Sequence, residues 1–144
     1  MLARIILGVL LLPLLLAAVP ASADGHQRVK LIAHPDVPDV ECSEKNAQRI
    51  YLGKKTRWEG GLRIVPVMLR DGDVHEAFVE ELLGRSVAKF EIYWKQAVFT
   101  GKGIPPQSFD DEGELMAYVA ATPGAVGYVS RGARLRGVKE LVCP

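Results

Sequence analysis

Past residue 24, short apolar runs alternate with stretches in which apolar residues recur every three or four positions. Val29-Lys30-Leu31-Ile32-Ala33 predicts a strand, stopped by Pro35 and Pro38. Ser43 is placed to cap a helix carrying Ala47, Ile50 and Tyr51, with Gly53 as its stop. Leu62 to Leu69, apolar and β-branched, predicts a buried strand, against the objection of Pro66. Asp73 and Glu76 form a D-x-x-E capping pattern ahead of Val74, Ala77, Phe78 and Leu82, and Gly84 closes that helix. Ser86 introduces another helix, with Val87, Phe90, Trp94 and Ala97 at helical spacing. After a Gly- and Pro-rich stretch, Asp111 and Glu114 repeat the capping pattern before Leu115, Tyr118 and Val119. Ala125 to Val129 and Val138 to Val142 predict two further strands. The class is α/β, with about four strands and four helices, and no repeat or linker divides residues 24–144.

The first 23 residues follow a different pattern. Arg4 precedes an apolar run from Ile5 to Val19, broken only by Gly8 and Pro13, and Ala21-Ser22-Ala23 supplies a small-x-small cleavage pattern. A basic start, a short apolar core and small residues before a polar segment predict a secretory signal peptide over 1–23 and a mature domain over 24–144. The run is short for a membrane span, so no membrane anchor is expected after cleavage, and the expected location is periplasmic or secreted.

Composition then narrows the classes. The chain has 144 residues with 18 Lys+Arg against 17 Asp+Glu. Arg4 is the only charge in the leader, so the mature domain is neutral, and nothing predicts a nucleic-acid binder. Two cysteines, Cys42 and Cys143, belong to an exported domain, where a pair is more often a bridge than a reactive site. A Cys42–Cys143 bridge would close a loop of about 100 residues, a contribution of about 3–5 kcal/mol by loop entropy.

Two segments carry a family resemblance. Ile50-Tyr51-Leu52-Gly53-Lys54, with Trp58 four residues on, is similar to the I-F-L-G-K-x-x-x-W segment of phosphate-type periplasmic binding proteins, the substrate-capturing components of ABC transporters. Thr122-Pro123-Gly124-Ala125-Val126-Gly127-Tyr128-Val129 resembles their T-P-G-A-I-G-Y-V strand entry. The resemblance runs from about Val29 to Val142. It implies one lobe of a type II periplasmic-binding-protein-like fold and a non-enzymatic exported protein. It further implies a small oxyanion such as phosphate as ligand, and a membrane permease, a sensor or a second-lobe protein as partner. The family is two-lobed, and this length matches about one lobe. The alternative is a protein-interaction or sensory module that kept the fold and lost ligand binding.

The family's anion loop reads R-x-x-x-S-G-T-x-x-F. Arg70 matches it and Phe78 lies one position before the pattern's Phe, whereas Val74, His75 and Glu76 stand in place of Ser, Gly and Thr. Asp73 and Glu76 would each repel a phosphate charge by about 1–4 kcal/mol at about 4 Å. Arg70 is therefore either an anion contact or a surface arginine paired with Asp71 or Asp73. Thr100-Gly101-Lys102-Gly103 is a second candidate, either a small nest of backbone N–H groups with one ammonium or a plain helix-exit loop. Lys54-Lys55-Thr56-Arg57-Trp58 and the Arg131, Arg134, Arg136 run read as solvated turns, the first with its Trp packed inward. His34 and His75 belong to no H-E-x-x-H or Cys/His cluster, and there is no G-x-S-x-G elbow or nucleotide-cradling loop. No metal, cofactor or catalytic group is expected.

Overall fold

Ser43, Ser86 and Asp111 each stand in extended backbone and turn a side-chain oxygen onto an amide three residues ahead. Ser43 Oγ accepts from Asn46 N at 3.1 Å, Ser86 Oγ from Lys89 N at 3.2 Å, and Asp111 Oδ1 from Glu114 N at 2.8 Å. These caps satisfy first-turn donors that a helix cannot pair internally, and so fix where three helices start. The computed structural model describes residues 27–39 and 42–142. The expected signal peptide over 1–23 and Cys143 lie outside these residues. Cys42 is buried, at 4% exposure.

In chain order the elements are β1 (Val29–Ala33), α1 (Glu44–Tyr51), β2 (Val65–Leu69), α2 (Asp73–Glu81), α3 (Val87–Phe99), β3 (Gln107–Phe109), α4 (Glu112–Ala121), β4 (Ala125–Ser130) and β5 (Lys139–Leu141). The four expected helices are present, and the described residues form five strands where about four were expected. The additional one is β3, three residues inside the Gly- and Pro-rich stretch, too short for an alternation pattern to reveal.

The strands form one sheet in the order β3-β2-β4-β1-β5. β2 runs parallel to both β3 and β4, while β1 is antiparallel to β4 and β5. β2 begins at Val65, three residues later than expected. Pro66 is tolerated inside it for a geometric reason. Val65 N donates to Gly124 O toward β4, so the missing Pro66 N–H falls on the β3 side, where pairing begins only opposite Val67.

Gly127 and Tyr128 of β4 face opposite sides of the sheet, as pleating requires. A Cβ on Gly127 would lie 2.7 Å from a Leu115 methyl and 3.3 Å from Val119, so α4 packs directly on that face. On the other face Tyr128 stacks on Phe78 with centroids 3.8 Å apart, and Phe78 meets Tyr51 edge-on at 4.6 Å. α1 and α2 cover this side; α3 packs against α2, where Phe90 lies near His75, and its Trp94 indole N–H donates to Tyr51 O at the end of α1.

The β2–β4 ladder has only two register pairs, Val65↔Ala125 and Pro66↔Val126. Buried hydroxyls take up backbone groups around and beyond it. The Tyr51 hydroxyl lies 2.9 Å from Val67 O and 3.3 Å from Val126 O, and Leu69 N donates to the Tyr128 hydroxyl at 2.9 Å. Burial holds both phenols protonated, with pKa values raised above the ordinary tyrosine range. Trp58 is buried as expected, and its indole N–H donates to Gly124 O at 2.9 Å. The two segments that carried the family resemblance therefore meet in the core.

Candidate functional site

The carboxyl ends of parallel strands in an open α/β sheet are where ligands ordinarily bind. Here β2 and β3 end side by side, with Leu69 opposite Phe109, so the next residues, Arg70 and Asp110, are neighbours. Arg70 N donates to Phe109 O at 2.9 Å, and Arg70 Nε donates to Asp110 Oδ1 at 2.7 Å. The partner is thus Asp110, the residue after the neighbouring strand, instead of Asp71 or Asp73 within the loop. Both side chains are mostly exposed, 62% and 74%, so the pair holds the guanidinium by no more than about 1 kcal/mol.

α2 starts directly behind Arg70. Its N-cap is Gly72, at φ 93°, and not Asp73, so the expected D-x-x-E cap does not form. Asp73 is the first helical residue, and Glu76 N donates to Gly72 O in the ordinary helical pattern. A backbone at positive φ suits glycine, and with it the chain turns sharply from β2 into α2 without a side-chain cap. Asp73 and Glu76 nevertheless sit in the first turn, where they compensate the helix dipole that an anion would otherwise meet. The start of α4, beside β3, is also acidic. Asp111 caps it, and Glu112 accepts from Ser130 N and lies 3.3 Å from Ser130 Oγ. Arg70 therefore stands at strand ends whose neighbouring helix starts are acidic.

His75, which replaces the family's loop glycine, points the other way. It is buried, at 4% exposure, and its Nδ1 lies 2.5 Å from the Tyr128 hydroxyl. Because that hydroxyl accepts from Leu69 N, its own proton goes to His75, which must be neutral at Nδ1 to receive it. Desolvation depresses the His75 pKa, opposed by Glu91 and Asp71. The helical pattern contained the signal: His75, Phe78, Val79 and Leu82 share one face, and all four are buried.

The sign of the pH effect follows. A depressed folded pKa means that the unfolded chain takes up a proton first, near pH 6.5. His75 therefore contributes stability that is fully present above about pH 6.5 and is lost as pH falls through its folded value, with a slope of at most about 1.4 kcal/mol per pH unit. Melting curves between pH 8 and pH 5 should show this decline, and His75→Gln should flatten it. An identical slope in the variant would remove His75 as its cause.

The second candidate loop lies elsewhere. Thr100 N, Gly101 N and Lys102 N donate to Gln96 O, Val98 O and Ala97 O, and Thr100 Oγ1 donates to Gln96 O. These groups close the C-terminus of α3, so of the two readings of this loop Thr100–Lys102 follow the helix-exit one and offer no nest of free N–H groups. What the loop contributes is the Lys102 side chain. With Gly103 it lines a cleft of about 860 Å³ that also contains Lys55 and Arg63, next to Ile64 and Pro66 at the amino end of β2. Arg70 lines a separate hollow of about 470 Å³ beyond Trp94. Arg70 and Thr100–Gly103 are thus not brought together.

Among the described residues no group of three or more His, Cys, Asp or Glu side chains is arranged to hold a metal ion. Among them, too, no helix is long and apolar enough to cross a membrane.

No protein-family model matches the chain, and no curated protein matches it in sequence. Solved structures do match in fold. A putative phosphate ABC transporter substrate-binding protein with bound phosphate from Clostridium perfringens superposes with a TM-score of 0.61 at 25% identity, over 78% of this chain and 43% of that one. An ABC-type phosphate transport receptor from Vibrio cholerae gives 0.60 at 15% identity, over 78% and 44%. PstS from Borrelia burgdorferi gives 0.57 at 15% identity, over 73% and 41%. The chain thus spans less than half the length of these receptors and is a partial, single-lobe relative of them in fold.

Proposed function

We propose that this chain is a non-enzymatic, exported binding protein for a small oxyanion such as phosphate, acting with a membrane transporter or sensor. The observation that carries the reading is Arg70. It stands at the carboxyl end of β2, beside the start of α2, in a fold similar to that of phosphate receptors. An oxyanion can replace the exposed Asp110 carboxylate on the Arg70 fork, since a solvent-exposed pair contributes little and a bidentate arginine contact is charge-assisted. The carboxylates of Asp71, Asp73 and Asp110 around it set the affinity low, because each repels a dianion. A second lobe or a partner surface bringing further donors to the same strand ends would raise it.

Calorimetric titration of the purified protein with phosphate, sulfate and molybdate tests this. The expected result is submillimolar binding of at least one of them that Arg70→Ala abolishes, and an increase in affinity on Asp110→Asn. Absence of heat with all three oxyanions, or binding unchanged in Arg70→Ala, overturns the reading.

A further inference from the structure

The basic turn at residues 54–57 and the exit loop of α3 come together around one side chain. Trp94 is buried, and its indole N–H donates to Tyr51 O at 3.1 Å. Gly53 and Gly103 press on its six-membered ring: a Cβ on the first would lie 3.3 Å from the ring, and on the second 3.2 Å. The ring thus holds the loop carrying Lys55 against the loop carrying Lys102. Arg63 joins them from the hairpin that precedes β2, where it bridges to Arg57.

The resulting cleft of about 860 Å³ is lined, among the described residues, by three cationic residues, Lys55, Arg63 and Lys102, and by no aspartate or glutamate. Among the described residues none of Lys55, Arg63 and Lys102 takes part in an ion pair, so no carboxylate neutralises them across the cleft. Lys55 is also partly buried, which makes its unpaired charge more costly than a fully solvated one. The rest of the wall is apolar or aromatic, with Ile50, Ile64, Pro66, Ile104 and Trp94. A lone inorganic oxyanion would fill a small part of this space and leave the apolar wall unused. Clefts of this size and mixed lining suit small organic ligands.

We infer that this cleft binds a small organic polyanion, a molecule carrying two or more carboxylate or phosphate groups on a compact body. Lys55, Arg63 and Lys102 neutralise the anionic groups, and the Trp94–Ile64 wall covers the body. The inference does not rest on the Arg70 reading, because the two sites lie at opposite ends of β2 and share no cation.

The test is titration of the purified protein at low ionic strength with citrate and, separately, with ATP. Binding is followed by calorimetry and by the amide shifts of Gly53 and Gly103. The expected result is submillimolar binding of one or both probes, with both glycine amides shifting. Each of Lys55→Gln, Arg63→Gln and Lys102→Gln should weaken that binding about tenfold, the loss expected for one charged hydrogen bond. Arg70→Ala should leave it unchanged. Binding of citrate alone assigns polycarboxylates, and of ATP alone phosphate esters. Absence of binding by both probes overturns the inference. So does binding that survives all three substitutions in variants with an unaltered melting temperature, or binding that Arg70→Ala removes.

Discussion

Gly124→Ala is expected to lower the unfolding free energy by about 3 kcal/mol or more, a large share of the stability of a domain this size. Gly124 has φ 80°, a region that costs an L side chain free energy wherever it occurs. The added methyl would also press on the backbone carbonyl of Arg63, which cannot rotate away as a side chain does. The same residue offers its own carbonyl to two donors, Trp58 Nε1 at 2.9 Å and Val65 N at 3.1 Å. Moving Gly124 to relieve the clash therefore loosens the Trp58 anchor and the first rung of β2 together. Urea denaturation of the variant measures this, and a loss below about 1 kcal/mol would show that the turn relaxes without disturbing either contact.

Tyr128→Phe is expected to cost about 2–4 kcal/mol although it removes one oxygen and leaves the ring stacked on Phe78. The hydroxyl accepts from Leu69 N and donates to His75 Nδ1, so its loss strands a buried donor and a buried acceptor. Leaving such groups without partners costs about 1–3 kcal/mol each, more than the net worth of the bonds themselves. His75→Phe should cost less in the Tyr128→Phe background than alone, because His75 no longer has a hydrogen bond to lose. Strictly additive effects in that double-mutant cycle would mean that the two side chains act independently.

The chemistry of the strand ends explains why the fold likeness does not by itself transfer a ligand. Where β2, β3 and α2 converge, the available donors face carboxylates: Asp110 holds Arg70, Asp111 caps α4, and Glu112 holds Ser130. Unpaired positive charge has its larger concentration at the other end of β2, in the Lys55, Arg63 and Lys102 cleft. The two titrations proposed above separate these ends by residue, since Arg70 lines only one and the three cleft cations only the other.

The sequence by itself determined most features governed by short range, the glycine start of α2 and the three-residue β3 excepted. Helix starts at Ser43, Ser86 and Asp111 follow from a side-chain oxygen reaching an amide three residues away. The inward turn of Trp58, the burial of Phe90 and Trp94, and the order of the motifs were equally legible, because amphipathic spacing and turn residues act within a dozen positions. Three features depended on contacts between residues far apart in the chain, and only the tertiary structure decided them. Arg70 pairs with Asp110, forty residues on, because β2 and β3 lie parallel and in register. His75 becomes a buried acceptor because β4 delivers a hydroxyl beneath it. The exit loop of α3 spends its amides on its own helix and lends its lysine to a cleft completed by residues 55 and 63. A local pattern specifies which way a side chain faces, but a site is a meeting of chain segments, and the sheet order sets which segments meet.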